Sequence, residues 1–464
     1  MSSTDSSYNI PGHVEKFLSD LGFTIPNRHM APYIAEWARL YRSEGEFWDY
    51  EEQDGRNVYQ VHRRSIRPFK RVCVEWSNLI LGDDTRIGTE DERCNEYLDD
   101  LLPMIGFLRN TQALIQRSFG LGTGVMAVWL DSIAVKLQVR RFYANMFIPL
   151  TWDDDGISEI ALCTRVTIRG KSYDQLQVHL LEADGYHIKT LFFDEHGEMA
   201  QIEGVIDDFH TGASDPWFAV IKPAIDNDLV DMSPFGVSVY KDARDALESV
   251  DLAYDAMMSE VDLGKLRIFL SDLMFERVEK DDDSVTIIPF GKSDATVYRI
   301  GDTGSGDPIR EFAPQLRTDA QAKVYRVSLQ TMGDLCGFGL GYFDIDDSGG
   351  LKTATEVSAD NSQLMRNLRN HEAIVQGAIE TIVRAVLQAA NFLGEGLPDP
   401  GKITMRFDDS IITDTAAEKA QDMAEVSAGL MNAWEYRMKW YGEDEETARA
   451  NAPQPAIEAP SFAE

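Results

Sequence analysis

Basic side chains are scarce in this sequence of 464 residues: 44 Lys and Arg stand against 78 Asp and Glu, a formal net charge of −34 at pH 7. A field of that sign repels a phosphate backbone, which excludes a free protein that grips nucleic acid by charge. Either DNA is irrelevant to the chain, or the chain handles DNA without gripping it. Cysteine is scarcer still. Cys73, Cys94, Cys163 and Cys336 are isolated, with no CxxC pair. That excludes a zinc knuckle and a disulfide scaffold, and it fits a reducing compartment. No run of 18 or more apolar residues occurs, so no membrane span is expected. The start, "MSSTDSSYNIPGH", has no basic stretch followed by an apolar run, so no signal peptide is expected.

Catalytic patterns are lacking too. The eight histidines are scattered, with no HExxH, no HxH and no GxSxG nucleophile elbow. "FGLGTGV" (119–125) has Val125 where a dinucleotide fingerprint needs its third glycine, so it reads as a turn. The stretch "FDIDDSGGLKTATEVSADNS" (343–362) resembles three things at once. As a calcium loop, Asp344, Asp346, Ser348 and Gly349 match the start, but position 12 is Thr355 and Glu356 comes one residue late. As a phosphate loop it fails, because Leu351 separates Gly350 from Lys352. As a helix start it succeeds: Thr353 and Glu356 form a T-x-x-E capping box. A metal-dependent hydrolase holding Mg²⁺ or Ca²⁺ on Asp344, Asp346 and Asp347 is the competing enzymatic reading. It has no histidine, base or phosphate site beside it. Neither a metal nor a cofactor is expected.

What the sequence does have is apolar patterning. At 464 residues it is long enough for two or three domains with cores, and with 44% hydrophobic residues most of it should fold. Residues 29–50 read as a helix with Ile34, Trp37, Leu40 and Tyr41 on one side. The one basic cluster follows: Arg63, Arg64, Arg67, Lys70 and Arg71. Its two readings are a helix face that meets acidic neighbours and a contact with phosphate. Residues 120–205 break into short runs rich in β-branched and aromatic residues, separated by Gly and Asp turns, and predict an antiparallel meander. Residues 236–262 predict a helix with an apolar side and an acidic stripe of Glu248, Asp251, Asp255 and Asp262. Strands return around "VTIIPF" and "TVYRI", then a helix over "TDAQAKVYRVSLQTMGDLCG". After the cap, Val357, Leu364, Leu368, Val375, Ile379, Ile382, Val386 and Leu393 form one stripe on a helix of roughly 39 residues, nearly 60 Å long. A helix that long should pack on other helices or other subunits. One strand, "KITMRF", a last helix over 416–441 and a Pro- and Ala-rich tail complete an α+β chain.

"PQLRTD" (314–319), then a helix, then "GFGLGYFDIDDSGGLKTATEVSADNSQLMRN", resembles the portal proteins of tailed double-stranded-DNA bacteriophages, the long-tailed siphophage family most of all. "KTATEV" (352–357) opening a long helix is the most specific part, and "FDDSIITDTAAEKAQDMAEVSAGLMNAWEYRMKWYG" (407–442) looks like the family's last strand and crown helix. The resemblance spans roughly 28–450. It implies a portal-like fold: a wing over 1–235, a stem helix over 236–262, a small α/β clip over 263–318 and a second stem helix over 319–337. A tunnel loop over 338–353 follows, then a long helix over 354–393, a wing strand and connection over 394–414, a crown helix over 415–450 and a disordered tail over 451–464.

The resemblance also implies a function. The family forms a homo-oligomeric ring, usually of about twelve subunits, at one capsid vertex. DNA is packaged and ejected through that ring without sequence specificity. Its partners are the terminase large subunit, head-completion or adaptor proteins, and capsid and scaffolding proteins. It is structural rather than enzymatic, assembles in the bacterial cytoplasm and resides in the virion. On this reading Asp344, Asp346, Asp347, Gly349, Gly350 and Lys352 belong to the tunnel loop, capped by Thr353 and Glu356. Glu248, Asp251 and Asp255 face the channel or a neighbour, and the basic cluster pairs across the subunit contact. Another head–tail connector protein is the remaining alternative, though those chains are much shorter.

Overall fold

In the computed structural model the described residues are 9–82, 84–131, 136–271, 276–280, 283–287, 296–300, 309–343, 362–407, 415–428, 430–441 and 443–452. Two helices come first, α1 (Gly12–Asp20) and α2 (Asn27–Arg42). α2 buries Met30, Ile34, Trp37, Leu40 and Tyr41, the stripe expected of an amphipathic helix. It stops eight residues earlier than its pattern suggested. Ser43 turns left-handed at φ 56°, and the amides of Ser43 and Glu44 bond back to Leu40 and Arg39. The chain then forms a hairpin, β1 (Asp49–Asp54) with β2 (Asn57–His62). Almost all of that hairpin is exposed, so it carries none of the apolar alternation by which a strand is read.

Three helices and a short strand follow: α3 (Pro68–Ile80), β3 (Arg86–Gly88), α4 (Glu92–Met104) and α5 (Phe107–Leu121). Asp91 caps α4 by accepting from the Cys94 amide. α5 ends at Gly122, whose φ of +85° suits a residue without Cβ; a Cβ there would lie 2.5 Å from the Gly236 carbonyl oxygen. "FGLGTGV" is thus a helix end and a turn.

The antiparallel meander is present. β4 (Gly124–Asp131), β5 (Lys136–Tyr143) and the later β12 (Phe218–Ile221) form one sheet in the order β12-β4-β5. β6 (Phe147–Asp153), β7 (Gly156–Ile168), β8 (Lys171–Glu182) and β9 (Gly185–Phe193) form a second. There β10 (Met199–Ala200) and β11 (Asp208–His210) both pair with β9. One face of this sheet is closed by α1, where Val14 and Leu18 pack on Ile148, Leu150, Ala161, Cys163, Leu176, Val178 and Phe193.

Residues 236–243 are turns, not helix. Their polar groups are taken by a tertiary contact: the Val239 amide and Ser238 hydroxyl both bond to the Phe119 carbonyl. α6 (Arg244–Leu263) starts after them. Next come β13 (Arg267–Ser271), β14 (Glu276–Lys280), β15 (Asp283–Ile287), β16 (Thr296–Ile300) and β17 (Ile309–Phe312), then α7 (Thr318–Leu335). β13 pairs parallel with β16 and antiparallel with β17, while β14 and β15 form a hairpin.

α8 (Ser362–Phe392) has 31 described residues, about 46 Å of helix. It is long and apolar enough to cross a bilayer by length and composition, yet Val375, Ile379, Ile382, Val383 and Val386 are fully buried in the main core. That core joins α2, α3, α5 and α8 to the β12-β4-β5 sheet. β18 (Thr404–Arg406) pairs with β3. The last expected helix is divided into α9 (Thr415–Ser427) and α10 (Ala433–Tyr441), followed by α11 (Glu445–Asn451).

Candidate functional site

α6 and α7 pack antiparallel. Tyr254 meets Tyr325 with ring centroids 6.4 Å apart, and the C-terminal end of α6 is tied to the start of α7 through Glu260 and Arg317. Arg317 donates from its backbone amide, from Nε and from Nη2 to the Glu260 carboxylate, at 3.1, 3.1 and 2.6 Å. The Arg317 side chain is the main reason that the Glu260 pKa is held down to about 2. The small sheet β13, β16 and β17 is inserted between the two helices. It carries exposed Tyr298, Ile309 and Phe312, with Tyr298 stacked on Phe269. Along the pair itself Leu252, Val261 and Leu263 of α6 and Val324, Val327 and Leu335 of α7 are exposed. A helix pair buried within its own chain does not display so many large apolar side chains together.

The acidic stripe and the basic cluster turn out to be partners of each other. Asp251 is 0% exposed. Its Oδ2 accepts from Trp48 Nε1 at 2.8 Å and from the Ser65 hydroxyl at 2.6 Å, and its Oδ1 accepts from the Ile66 amide at 2.9 Å. The expected place of Asp251 on a channel or subunit surface is therefore corrected: it is an interior carboxylate that fastens 65–66 and the hairpin entrance to α6. Arg64 reaches Asp262 at 2.5 Å and Asp255 at 4.0 Å, and its amide donates to Asp255. Glu248 accepts from Arg244 one turn earlier. Arg63 donates to the Phe47 carbonyl at 2.6 Å and lies 4.0 Å over the Phe47 ring. Arg63 and Arg64 thus both have partners within the chain. Arg67 is exposed, in a left-handed conformation just before Pro68. Among the described residues neither Arg67 nor Lys70 has an ion pair, and Arg71 lies over the Phe343 ring at 5.4 Å.

The start of the expected tunnel loop is anchored by aromatics. Trp76 stacks on Phe338 with centroids 4.4 Å apart, and Phe338 meets Phe343 at 5.2 Å. Trp76 Nε1 donates to the Cys336 carbonyl, Asn367 Nδ2 to the Gly337 carbonyl, and the Tyr342 hydroxyl to Glu75. Phe338 and Phe343 are buried while Leu340 between them is exposed, so this stretch of the expected loop is pinned to the body at its two aromatic ends. Gly333 permits this approach, since a Cβ there would sit 2.7 Å from the Gly339 carbonyl oxygen. The remaining loop residues, Asp344, Asp346, Asp347, Gly349, Gly350 and Lys352, and the cap pair Thr353 and Glu356, lie outside the described residues.

Sequence reasoning missed one constellation. Asp184, His187 and His210 come together at the edge of the larger sheet. Their spacing matches no motif, and only strand register unites them.

The architecture is a β-rich body joined to a helical pair that carries a small sheet between its members and exposes apolar side chains. The chain belongs to the phage portal protein family: the family described as "Phage portal protein, SPP1 Gp6-like" matches residues 27–449. Because that match covers nearly the whole chain, the shorter-connector alternative falls away. No curated protein matches. Among solved structures, the chain is similar to one from the virion of a native gene transfer agent particle, with 13% identity over 88% of this chain and 92% of that one and a TM-score of 0.39. It is also similar to one from the neck of the empty particle computed with C6 symmetry, with 13% identity, the same coverage and a TM-score of 0.37. A third, from the neck of the native particle computed with C12 symmetry, has 13% identity, 80% and 89% coverage and a TM-score of 0.34. At TM-scores below 0.5 these likenesses set nothing about this chain.

Proposed function

We propose that this portal protein closes into a homo-oligomeric ring of about twelve copies through one repeated contact, at a single vertex of the capsid. The observation that carries the reading is the family match over 27–449. The exposed apolar side chains of α6 and α7 support it, because a neighbouring copy would cover them. Double-stranded DNA passes through the ring without sequence specificity, inward in packaging and outward in ejection. An excess of 34 negative charges per chain supports a channel that surrounds DNA with none of the counterion-release gain that drives ordinary binding. The role is structural, without catalysis. The terminase large subunit, head-completion proteins, and capsid and scaffolding proteins dock on the ring, which assembles in the bacterial cytoplasm and stays in the virion.

In this reading α6 and α7 are the stem, 263–318 the clip, 344–353 the rest of the tunnel loop, α8 the long tunnel helix and 415–450 the crown. The wing comprises 1–235 with the strand at 394–414. Lys352 is the loop cation placed to touch phosphate, and Gly349 and Gly350 are its hinge. Arg67, Lys70 and Arg71 are the members of the basic cluster left for a neighbour or for DNA, and Glu248 and Asp255, both partly buried, are the stem acids that face the channel or a neighbour. Mass photometry of the purified chain tests the ring. A particle on the order of twelve times 52.2 kDa, with a central hole in negative stain, is expected; a chain that stays a monomer at micromolar concentration refutes it.

A further inference from the structure

β9 and β11 are antiparallel neighbours, and their register sets His210 directly opposite His187. Directly opposed residues share one face of a sheet, so the two imidazoles meet with centroids 3.6 Å apart. The tight turn from β8 to β9, closed by the pairing of Glu182 with Gly185, delivers Asp184 to the same spot. His187 Nε2 is 2.9 Å from one Asp184 oxygen, and His210 Nδ1 is 3.6 Å from the other. The opposite ring nitrogens, His187 Nδ1 and His210 Nε2, both face Asp208 Oδ1, at 3.6 and 3.9 Å. Glu182 Oε2 stands 4.0 Å from His187 Nε2. Ligand atoms, one each from Asp184, His187 and His210, lie within 4.8 Å of one another.

Two imidazoles and a carboxylate make up a donor set for a cation of borderline softness. Zinc–nitrogen bonds of about 2.0–2.1 Å in a tetrahedron put ligand atoms about 3.3 Å apart, and the 2.9 and 3.6 Å separations bracket that value. Three carboxylates around the site exclude an anion. Calcium and magnesium take all-oxygen shells, which two histidines do not supply. Asp208 stands behind both imidazoles, at 3.6 and 3.9 Å, on the side from which a carboxylate orients ligating histidines. His187 is only 5% exposed, so one ligand is held rigidly by the sheet while Asp184 and His210 leave a path for entry.

We propose that Asp184, His187 and His210 bind one divalent transition-metal ion, zinc above all, with Asp208 as the orienting carboxylate and Glu182 nearest the fourth position. The ion would fasten the β8–β9 turn to β11, a strand of only three residues. The proposal is independent of the portal reading, since it concerns the outer strands of a sheet.

The test is calorimetric titration of chelator-treated, full-length protein with zinc chloride, with melting temperature followed in parallel. The wild type is expected to take up one zinc per chain and to melt higher with zinc. Asp184→Asn and His210→Ala are expected to lose that uptake, and Asp208→Asn to weaken it by about 10- to 100-fold. His196→Ala, which alters an exposed histidine beside Glu195, should bind as the wild type does, and calcium chloride should give no such heat. Absence of zinc uptake by the wild type overturns the proposal. So does uptake that persists unchanged in Asp184→Asn, a variant of an exposed turn residue that is expected to fold whatever becomes of His210→Ala.

Discussion

Asp251 holds a carboxylate inside α6 with three donors converging on it. Burial raises its pKa above the usual carboxylate range, against the opposing pull of Ser65, Trp48 and the Ile66 amide. The position looks like one more acid in a solvated stripe until the chain folds. Its removal should cost more than any surface charge. Asp251→Ala leaves the buried Trp48 indole N–H and the Ile66 amide without an acceptor, at about 1–3 kcal/mol for each lost pairing. We expect the dissociated chain to lose about 2–4 kcal/mol of stability in urea denaturation. Asp251→Asn, which keeps one acceptor oxygen, should lose less. A midpoint unchanged by the alanine variant would mean that the three hydrogen bonds do not hold 65–66 to α6.

At the scale of elements, α6 and α7 carry the prediction. Both helices were legible from their apolar period, but the period alone does not say what covers the apolar side. Leu329 and Met332 are buried within the chain, whereas Val324 and Val327 on the same helix are about half exposed. The first pair belongs to the fold; the second is left open, where the proposed ring would cover it with another copy. Replacing Val324 and Val327 together by Asp should therefore leave circular dichroism and melting temperature of the dissociated chain nearly unchanged, since surface positions shift stability by about 0.5 kcal/mol at most. The fraction of rings in sedimentation velocity should fall at least ~10-fold, because two charges per contact would have to be desolvated. Rings of normal yield would remove these residues from the subunit contact.

For the whole molecule, two histidines link stability to pH. His371 on α8 packs against Trp76 and Phe119 and accepts from the Ala224 amide. His179 on β8 lies against Phe218. Burial pushes their pKa values down to about 4 and about 3, well under the ordinary 6.5 of an exposed imidazole. The folded chain therefore keeps both neutral while the unfolded chain protonates them below about pH 6.5. Their stabilising contribution is complete above that pH and is lost as pH falls towards 4 and then 3. At pH 5 each should cost roughly 2 kcal/mol relative to pH 7. His187 acts in the opposite sense, because the Asp184 hydrogen bond raises its pKa, so a paired comparison is needed. The melting temperature of His371→Gln, which keeps an acceptor for the Ala224 amide, should fall less between pH 7 and pH 5 than that of the wild type. Parallel curves for the two proteins would count against a buried, neutral His371.

The α+β class, the antiparallel meander, the long apolar stripe of α8 and the family resemblance at "KTATEV" were all determined by the sequence alone. Each is a local signal: a period of two or 3.6, a turn residue, or a run of adjacent positions. The hairpin at 49–62 and the divided C-terminal helix were not legible. The hairpin buries almost nothing, and apolar periodicity reports only burial. Tertiary structure alone decided who meets whom. Asp251 finds Trp48 across 203 positions and Arg64 finds Asp262 across 198, which turned two separate charged features of the sequence into one internal network. The register of β11 on β9 brought His210 to His187, and aromatic packing pinned Phe338 and Phe343 to the body. Side-chain type says what a residue can bond, but the partner is chosen by the packing that brings distant segments to within a few ångströms.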